Sequence, residues 1–187
     1  MKWLVASDIH GSAFWCRRLL DAVKREKADR ILLLGDLLYH GPRNPLPDGY
    51  DPQEVIRLLS DYKEILFCVR GNCDAEVDQM VLPFPILADY ALLEHGRHQI
   101  VATHGHIYPL QKRLPLAPGT ILLYGHTHVP CCKEEEGIRH MNPGSAALPK
   151  DNSPHSYMTI EEGVFCWKTM DGDMYQTFPL QRPPLSI

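Results

Sequence analysis

KWLVASDIHG, residues 2–11, is an apolar run the length of a buried strand that stops at an acidic turn. RILLLGD at 30–36 repeats the form, and EILFCVRGN at 64–72 gives it a third time. An amphipathic helix lies between the first two runs. Ser12 is placed to cap it, and Trp15, Leu19, Leu20, Ala22 and Val23 fall on one stripe. Arg17, Arg18, Lys24, Arg25 and Lys27 make its solvated face. A second helix starts near Pro52 and carries Val55, Ile56, Leu58 and Leu59. The order βαβαβ implies parallel strands in a sheet covered by helices, an α/β fold.

Outward from this core the texture changes. Residues 39–52 (YHGPRNPLPDGYDP) carry four prolines and two glycines and read as a structured loop, long enough to suggest a functional role. Beyond residue 84, strand-like runs follow at 86–93, 98–103, 120–124, 138–141, 156–160 and 163–169, with a hairpin through Glu162-Gly163.

The 187 residues carry 19 Lys+Arg against 23 Asp+Glu, a formal charge of −4. That balance argues against a dedicated nucleic-acid surface. A hydrophobic content of 44% and a charged content of 22% exclude disordered, collagen-like and coiled-coil chains. The length suits a single domain over 1–187, with the proline-rich tail at about 179–187 peripheral. No apolar run approaches the roughly 18 residues of a membrane span, and the first residues lack a signal-peptide pattern. The cytoplasm is therefore the expected compartment, and no membrane partner is expected. The six cysteines count there as thiols rather than as a disulfide framework. Five read as small hydrophobes; Cys73 is set apart by its neighbours.

Five polar motifs follow apolar runs directly: Asp8-Ile9-His10-Gly11, Gly35-Asp36, Gly71-Asn72-Cys73-Asp74, Thr103-His104-Gly105-His106 and Gly125-His126-Thr127-His128. In a parallel sheet, C-terminal strand ends share one edge, where ligands of open α/β sheets bind. Asp and His are ligands for divalent metals, and Asn adds a neutral carbonyl oxygen. Asp8 with His10, and His126 with His128, are alternate residues of extended segments and can face one site. Seven such side chains exceed one tetrahedral ion and suit two adjacent ions sharing a carboxylate.

The motif order resembles that of the calcineurin-like metallophosphoesterases. SDIHG at 7–11, YHGPRN at 39–44, RGNCDAEVDQ at 70–79 and NPGS at 142–145 are more closely similar to the YfcE-type bacterial phosphodiesterases. The resemblance implies a four-layer α/β/β/α sandwich, its strands extending to about residue 170, and a centre of two divalent ions. Manganese is the metal commonly used with this family, and Zn, Fe and Ni fit the same ligands. By motif, Asp8, His10, Asp36 and His128 would hold the first ion. Asp36, Asn72, His104 and His126 would hold the second, with Asp36 bridging. His106 is the alternative to a packing residue beside His104.

The implied reaction is hydrolysis of a small phosphodiester by a metal-bridging hydroxide, with Asp36, Asn72, Cys73 and Arg43 nearest the chemistry. Arg43 is read as a bidentate phosphate ligand or as a loop arginine paired with a surface acid. His40 is either near the metals or on the surface. Cys73 departs from the histidine usual at its position. A thiol is neither a cation nor a good proton donor to an alkoxide, which disfavours phosphomonoesters. Asp74 is expected to bond near the turn, and Ser145 to support a ligand histidine. The rival functions are a phosphomonoesterase or nucleotide phosphatase on the same metals, and a non-catalytic scaffold resembling the retromer small subunit. Relatives also suggest a homo-oligomer.

Overall fold

The computed structural model describes residues 1–95, 98–107 and 114–180. Eleven strands among them form two sheets. In the first, β1 (Trp3–Ala6), β2 (Arg30–Leu33) and β3 (Leu66–Cys68) run parallel. β9 (Ser156–Glu161), β10 (Val164–Thr169) and β11 (Met174–Pro179) join antiparallel, giving the order β11-β10-β9-β1-β2-β3. The second sheet has the order β4-β5-β6-β8-β7, from β4 (Tyr90–His95), β5 (His98–Thr103), β6 (Ile121–Leu123), β7 (Cys131–Glu135) and β8 (Ile138–Asn142). β5, β6 and β8 are parallel neighbours within it.

The period of two in the central strands explains the layers. Leu4, Ala6, Ile31 and Leu33 face a cluster with Leu19, Val23, Val55 and Leu59 of the helices α1 (Ala13–Glu26) and α2 (Pro52–Ser60). Val5, Leu32 and Leu34 point the other way. They meet Ile100, Ala102, Ile121, Leu123 and Met141 between the sheets. Val101, Leu122 and Ile138 cover the outer side of the second sheet, where Leu114 and Leu116 pack on them. The helical entries are fixed as the sequence suggests. The Ser12 hydroxyl accepts from Trp15 N–H at 3.1 Å, and Asp51 accepts from Glu54 N–H at 3.1 Å ahead of Pro52.

Several expectations change. The five motifs do not share one sheet: three end parallel strands of the first sheet and two follow parallel strands of the second. The strand expected at 86–93 begins at Tyr90. β7 and the four-residue helix α3 (Glu76–Gln79) were not expected. β11 carries the first sheet past residue 170, so Pro179 ends an edge strand rather than opening a tail. Residues 181–187 of the expected tail lie outside the described residues.

Candidate metal centre

The facing ends of the two sheets bring the motifs together. Asp8 and His10 follow β1, Asp36 follows β2 and Asn72 follows β3; His104 follows β5, and His126 and His128 follow β6. Backbone bonds tie these turns laterally: Asp8 N–H to Gly35 O at 3.1 Å, His10 N–H to Asp36 O at 2.9 Å, and Gly125 N–H to His104 O at 3.1 Å. Asp8, His10, Asp36, His126 and His128 all have left-handed backbones, with φ between 50° and 64°. Residues with a Cβ rarely adopt this conformation, and clusters of it mark functional sites.

Backbone carbonyls set the histidine tautomers. Nδ1 lies 2.8 Å from Tyr39 O in His10, 2.6 Å from Leu34 O in His104 and 2.6 Å from Leu148 O in His128. A carbonyl only accepts, so each Nδ1 carries hydrogen and each Nε2 is turned inward. The inward atoms converge. His10 Nε2 is 3.2 Å from His128 Nε2, and these are 3.6 and 3.3 Å from Asp8 Oδ1. Asp36 Oδ2 is 3.6 Å from His10 Nε2 and 3.4 Å from His104 Nε2. Asn72 Oδ1 lies 3.0 Å from His104 Nε2. Asp8 Oδ1 is buried without a hydrogen-bond partner. Nitrogen lone pairs and a bare carboxylate oxygen brought this close are what a divalent cation would satisfy.

Charge agrees with this geometry. Burial opposes ionisation of Asp8, but the His10 and His128 contacts outweigh it and hold Asp8 well below the usual carboxylate range. Asp36 is lowered too, burial being outweighed mainly by His104. Burial would depress His104, yet Asp36 and Asp8 push it up to about 9. A proton and a cation therefore compete for its Nε2.

Asp36 is presented by Asp74. The buried Asp74 carboxylate accepts from Asp36 N–H at 2.8 Å, Leu37 N–H at 2.9 Å and Gly71 N–H at 2.7 Å. Gly71 is required at this crossing, since a Cβ there would run into Asp36 Oδ1. Cys73 N–H donates to Asp36 Oδ1 at 2.8 Å. Its half-buried thiol accepts from Asn72 Nδ2 at 3.2 Å and faces Gly41, whose added Cβ would sit 3.2 Å away. Burial first, then the Asp36 charge, pushes the thiol up to about 12.

An open cleft of about 440 Å³ lies over these atoms, lined by Asp36, Arg43, Asn44, Asn72, His126, Thr127, His128 and Lys150. The loop 39–51 brings Arg43 here because its ends are pinned. Tyr39 O takes the His10 contact, Asp51 N–H donates to Gly11 O at 2.8 Å, and Ala13 N–H donates to Gly49 O at 2.9 Å. Arg43 is exposed and has no ion pair among the described residues.

Ser145 acts differently from the expectation: its hydroxyl donates to Asp8 O and accepts from Leu148 N–H, so it reaches His128 only through Leu148. Asn142 supports the histidine turn, donating to Gly125 O at 2.8 Å and Thr127 Oγ1 at 3.0 Å. His126 lines the cleft, and its N–H donates to Asp8 Oδ2 at 3.2 Å. His106 lies edge-on to His104, 5.3 Å between ring centres, outside the converging atoms. Burial and the neighbouring imidazoles bring His106 down to about 4. His40 packs between Tyr39 and Tyr50 and does not line the cleft. The sequence reading missed Lys150, and it quoted Thr127 within its motif without giving it a place on the cleft wall. The Asp151-Asn152 turn signal after NPGS could have drawn attention to Lys150.

A family model described as the calcineurin-like phosphoesterase superfamily domain matches residues 1–163. Phosphodiesterase YfcE of Escherichia coli K12 is 42% identical over 164 residues, covering 88% of this chain and 89% of that protein. The solved structure of that E. coli phosphoesterase superposes with a TM-score of 0.93 at 38% identity, over 97% of this chain and all of that one. A probable metallophosphoesterase of Bacillus subtilis, YsnB, is 26% identical over 170 residues, 86% of this chain and 85% of that protein.

Proposed function

Because the chain belongs to the calcineurin-like phosphoesterase superfamily, we propose that it is a metal-dependent phosphodiesterase with a dinuclear centre. The observation that carries this reading is the convergence of Asp8 Oδ1, Asp36 Oδ2 and the Nε2 atoms of His10, His104 and His128. Asp8, His10 and His128 form one group of donors, and His104 and Asn72 form a second. Asp36 stands between them and is suited to serve both. His126 is not among the converging donor atoms, but it lines the cleft with its ring centre 5.1 Å from that of His104, which supports reading it as the further ligand of the second group. The nitrogen and oxygen donors suit Mn²⁺, the metal we propose, as well as Zn²⁺, Fe²⁺ or Ni²⁺. Two divalent ions bound here would lower the pKa of a water nucleophile and offset charge on the phosphoryl oxygens.

The chain's own residues supply the rest. Asn72 turns its Oδ1 beside the lone pair of His104 Nε2, as two donors to one ion would stand, and reaches the cleft. Arg43 lines the cleft, which supports its reading as the residue that grips a nonbridging oxygen of the scissile phosphate and orients it for in-line attack. The Cys73 thiol lies against Gly41 and within 4.8 Å of donor atoms of His10 and Asp36, and burial with the Asp36 charge pushes it up to about 12; we read it as packing the loop rather than as the proton donor to the departing oxygen. This favours diesters with stable leaving groups over monoesters. A scaffold reading has no support from the site, since all seven positions hold side chains able to bind a divalent ion.

The test is to load the protein with Mn²⁺ and compare an aryl phosphodiester with the matching aryl monoester. Preferential diester turnover that chelation abolishes is expected. A metal-loaded protein that hydrolyses only the monoester would return the assignment to a phosphomonoesterase.

A further inference from the structure

We propose that Lys150 selects substrates in which a second phosphate group accompanies the scissile diester. This rests on the phosphodiesterase reading above and adds the substrate class to it.

The charge in the cleft is the starting point. A simple phosphodiester carries one negative charge. The metal ions and Arg43 are already assigned to it, and among the described residues the only acid on the cleft wall is Asp36, itself placed among the metal ligands. Lys150 is a further cation on the same wall, with no ion pair among the described residues, in a chain whose net charge is −4.

Its position is built rather than incidental. Lys150 N–H donates to the carbonyl of His128 at 3.2 Å, which fixes its backbone beside a metal-ligand candidate. The next two residues, Asp151 and Asn152, have φ of 53° and 57°, and Ser153 N–H returns to Lys150 O at 3.0 Å. This is the pattern of a type I′ turn, a tight hairpin-like reversal. The Ser153 hydroxyl clamps the same carbonyl at 2.6 Å. The turn fixes the Lys150 backbone at the cleft wall, and its flexible stem carries a point charge suited to a phosphate rather than to planar bidentate recognition.

The test measures binding of unreactive ligands to the Mn²⁺-loaded full chain by calorimetry. The probes are methylphosphinates, CH3–PO2⁻–(CH2)n–, with chains of two, four or six carbons, each ending in either a hydroxyl or a phosphonate; they keep the single charge of a diester and have no ester bond to hydrolyse. At least one length should bind about tenfold more tightly with the phosphonate terminus than with the hydroxyl, the size of one charge-assisted contact. Lys150→Ala should bring that ratio to within about twofold at unchanged metal content, and Lys150→Arg should restore most of it. No preference at any length, or a preference that survives Lys150→Ala, would overturn the proposal. Hydrolysis of a plain aryl diester by the same preparation is followed in parallel. Its absence would strike the phosphodiesterase reading instead, so the two failures are separable.

Discussion

Asp74 holds Asp36 by its backbone: the Asp74 carboxylate accepts the Asp36 N–H at 2.8 Å and spreads over Leu37 and Gly71 as well. The residue that orders the bridging candidate thus makes no claim on the cations. Three buried donors depend on one side chain, and leaving a buried donor unpaired costs about 1–3 kcal/mol. Asp74→Ala is expected to destabilise the fold by at least about 2 kcal/mol and to lower metal content. Asp74→Asn keeps one acceptor oxygen and should fall between. Urea denaturation with elemental analysis checks both; a stable, fully loaded alanine variant would remove Asp74 from this role.

Among the described residues, Asp36 is the only carboxylate within 3.6 Å of the Nε2 atoms of both His10 and His104. Asp36→Asn should therefore lower occupancy of both ions and remove most activity while the fold survives. Elemental analysis of the purified variant decides this, since two equivalents of metal would contradict a bridging role.

Arg43→Ala should reduce catalytic efficiency at least about tenfold with metal content unchanged, because a charge-assisted contact is worth about 1.5–3 kcal/mol. Steady-state kinetics on an aryl diester tests it. Equal efficiency would return Arg43 to the surface.

Cys73→Ala should keep most aryl diesterase activity, because the thiol lies against Gly41 and an aryl oxide can depart without a proton donor. Cys73→His should flatten the dependence of rate on leaving-group pKa and raise monoester turnover, as an imidazolium can donate a proton near neutral pH. An alanine variant that binds both ions yet is inactive would give Cys73 a part in the chemistry.

Far from the site, Glu26 accepts from Lys168 at 2.7 and 2.8 Å and from the Tyr157 hydroxyl at 2.8 Å. Burial opposes its ionisation, but the Lys168 contact outweighs that and holds Glu26 below the usual range. A depressed carboxylate stabilises the fold above its unfolded pKa, and the gain is lost as pH falls through the folded value. Glu26→Gln should cost about 1.5–3 kcal/mol at neutral pH and less in acid. Denaturation midpoints at pH 7 and pH 3 measure this; an equal loss at both would discount the ionised contacts.

The parallel strands β1 and β2 were legible because strands buried on both faces read as continuous apolar runs; β3, an edge strand with Phe67 exposed, was legible because its sequence is apolar all the same, and each of the three stops at its ligand motif. β7 (CCKEE) and β11 (MYQTFP) escaped because they are edge strands with largely exposed side chains, so no burial pattern marks them. The motif residues were visible by type. Their division between two sheets was not, because which strands pair is decided by contacts distant in sequence, such as β1 with β9. The left-handed backbones at Asp8, His10, Asp36, His126 and His128 leave no local mark either: none is a glycine, and tertiary contacts impose them.

Asp8, His10, Asp36 and Asn72 belong to one sheet, and His104, His126 and His128 to the other. Ions bound by such a set act as rivets across the sandwich as well as chemical agents. Separating the sheets would require breaking coordination bonds before the shared apolar layer of Val5, Leu32, Ile100 and Ile121 could open. Chelation should then speed unfolding more than it slows refolding, which makes the loaded enzyme durable in time as well as stable at equilibrium.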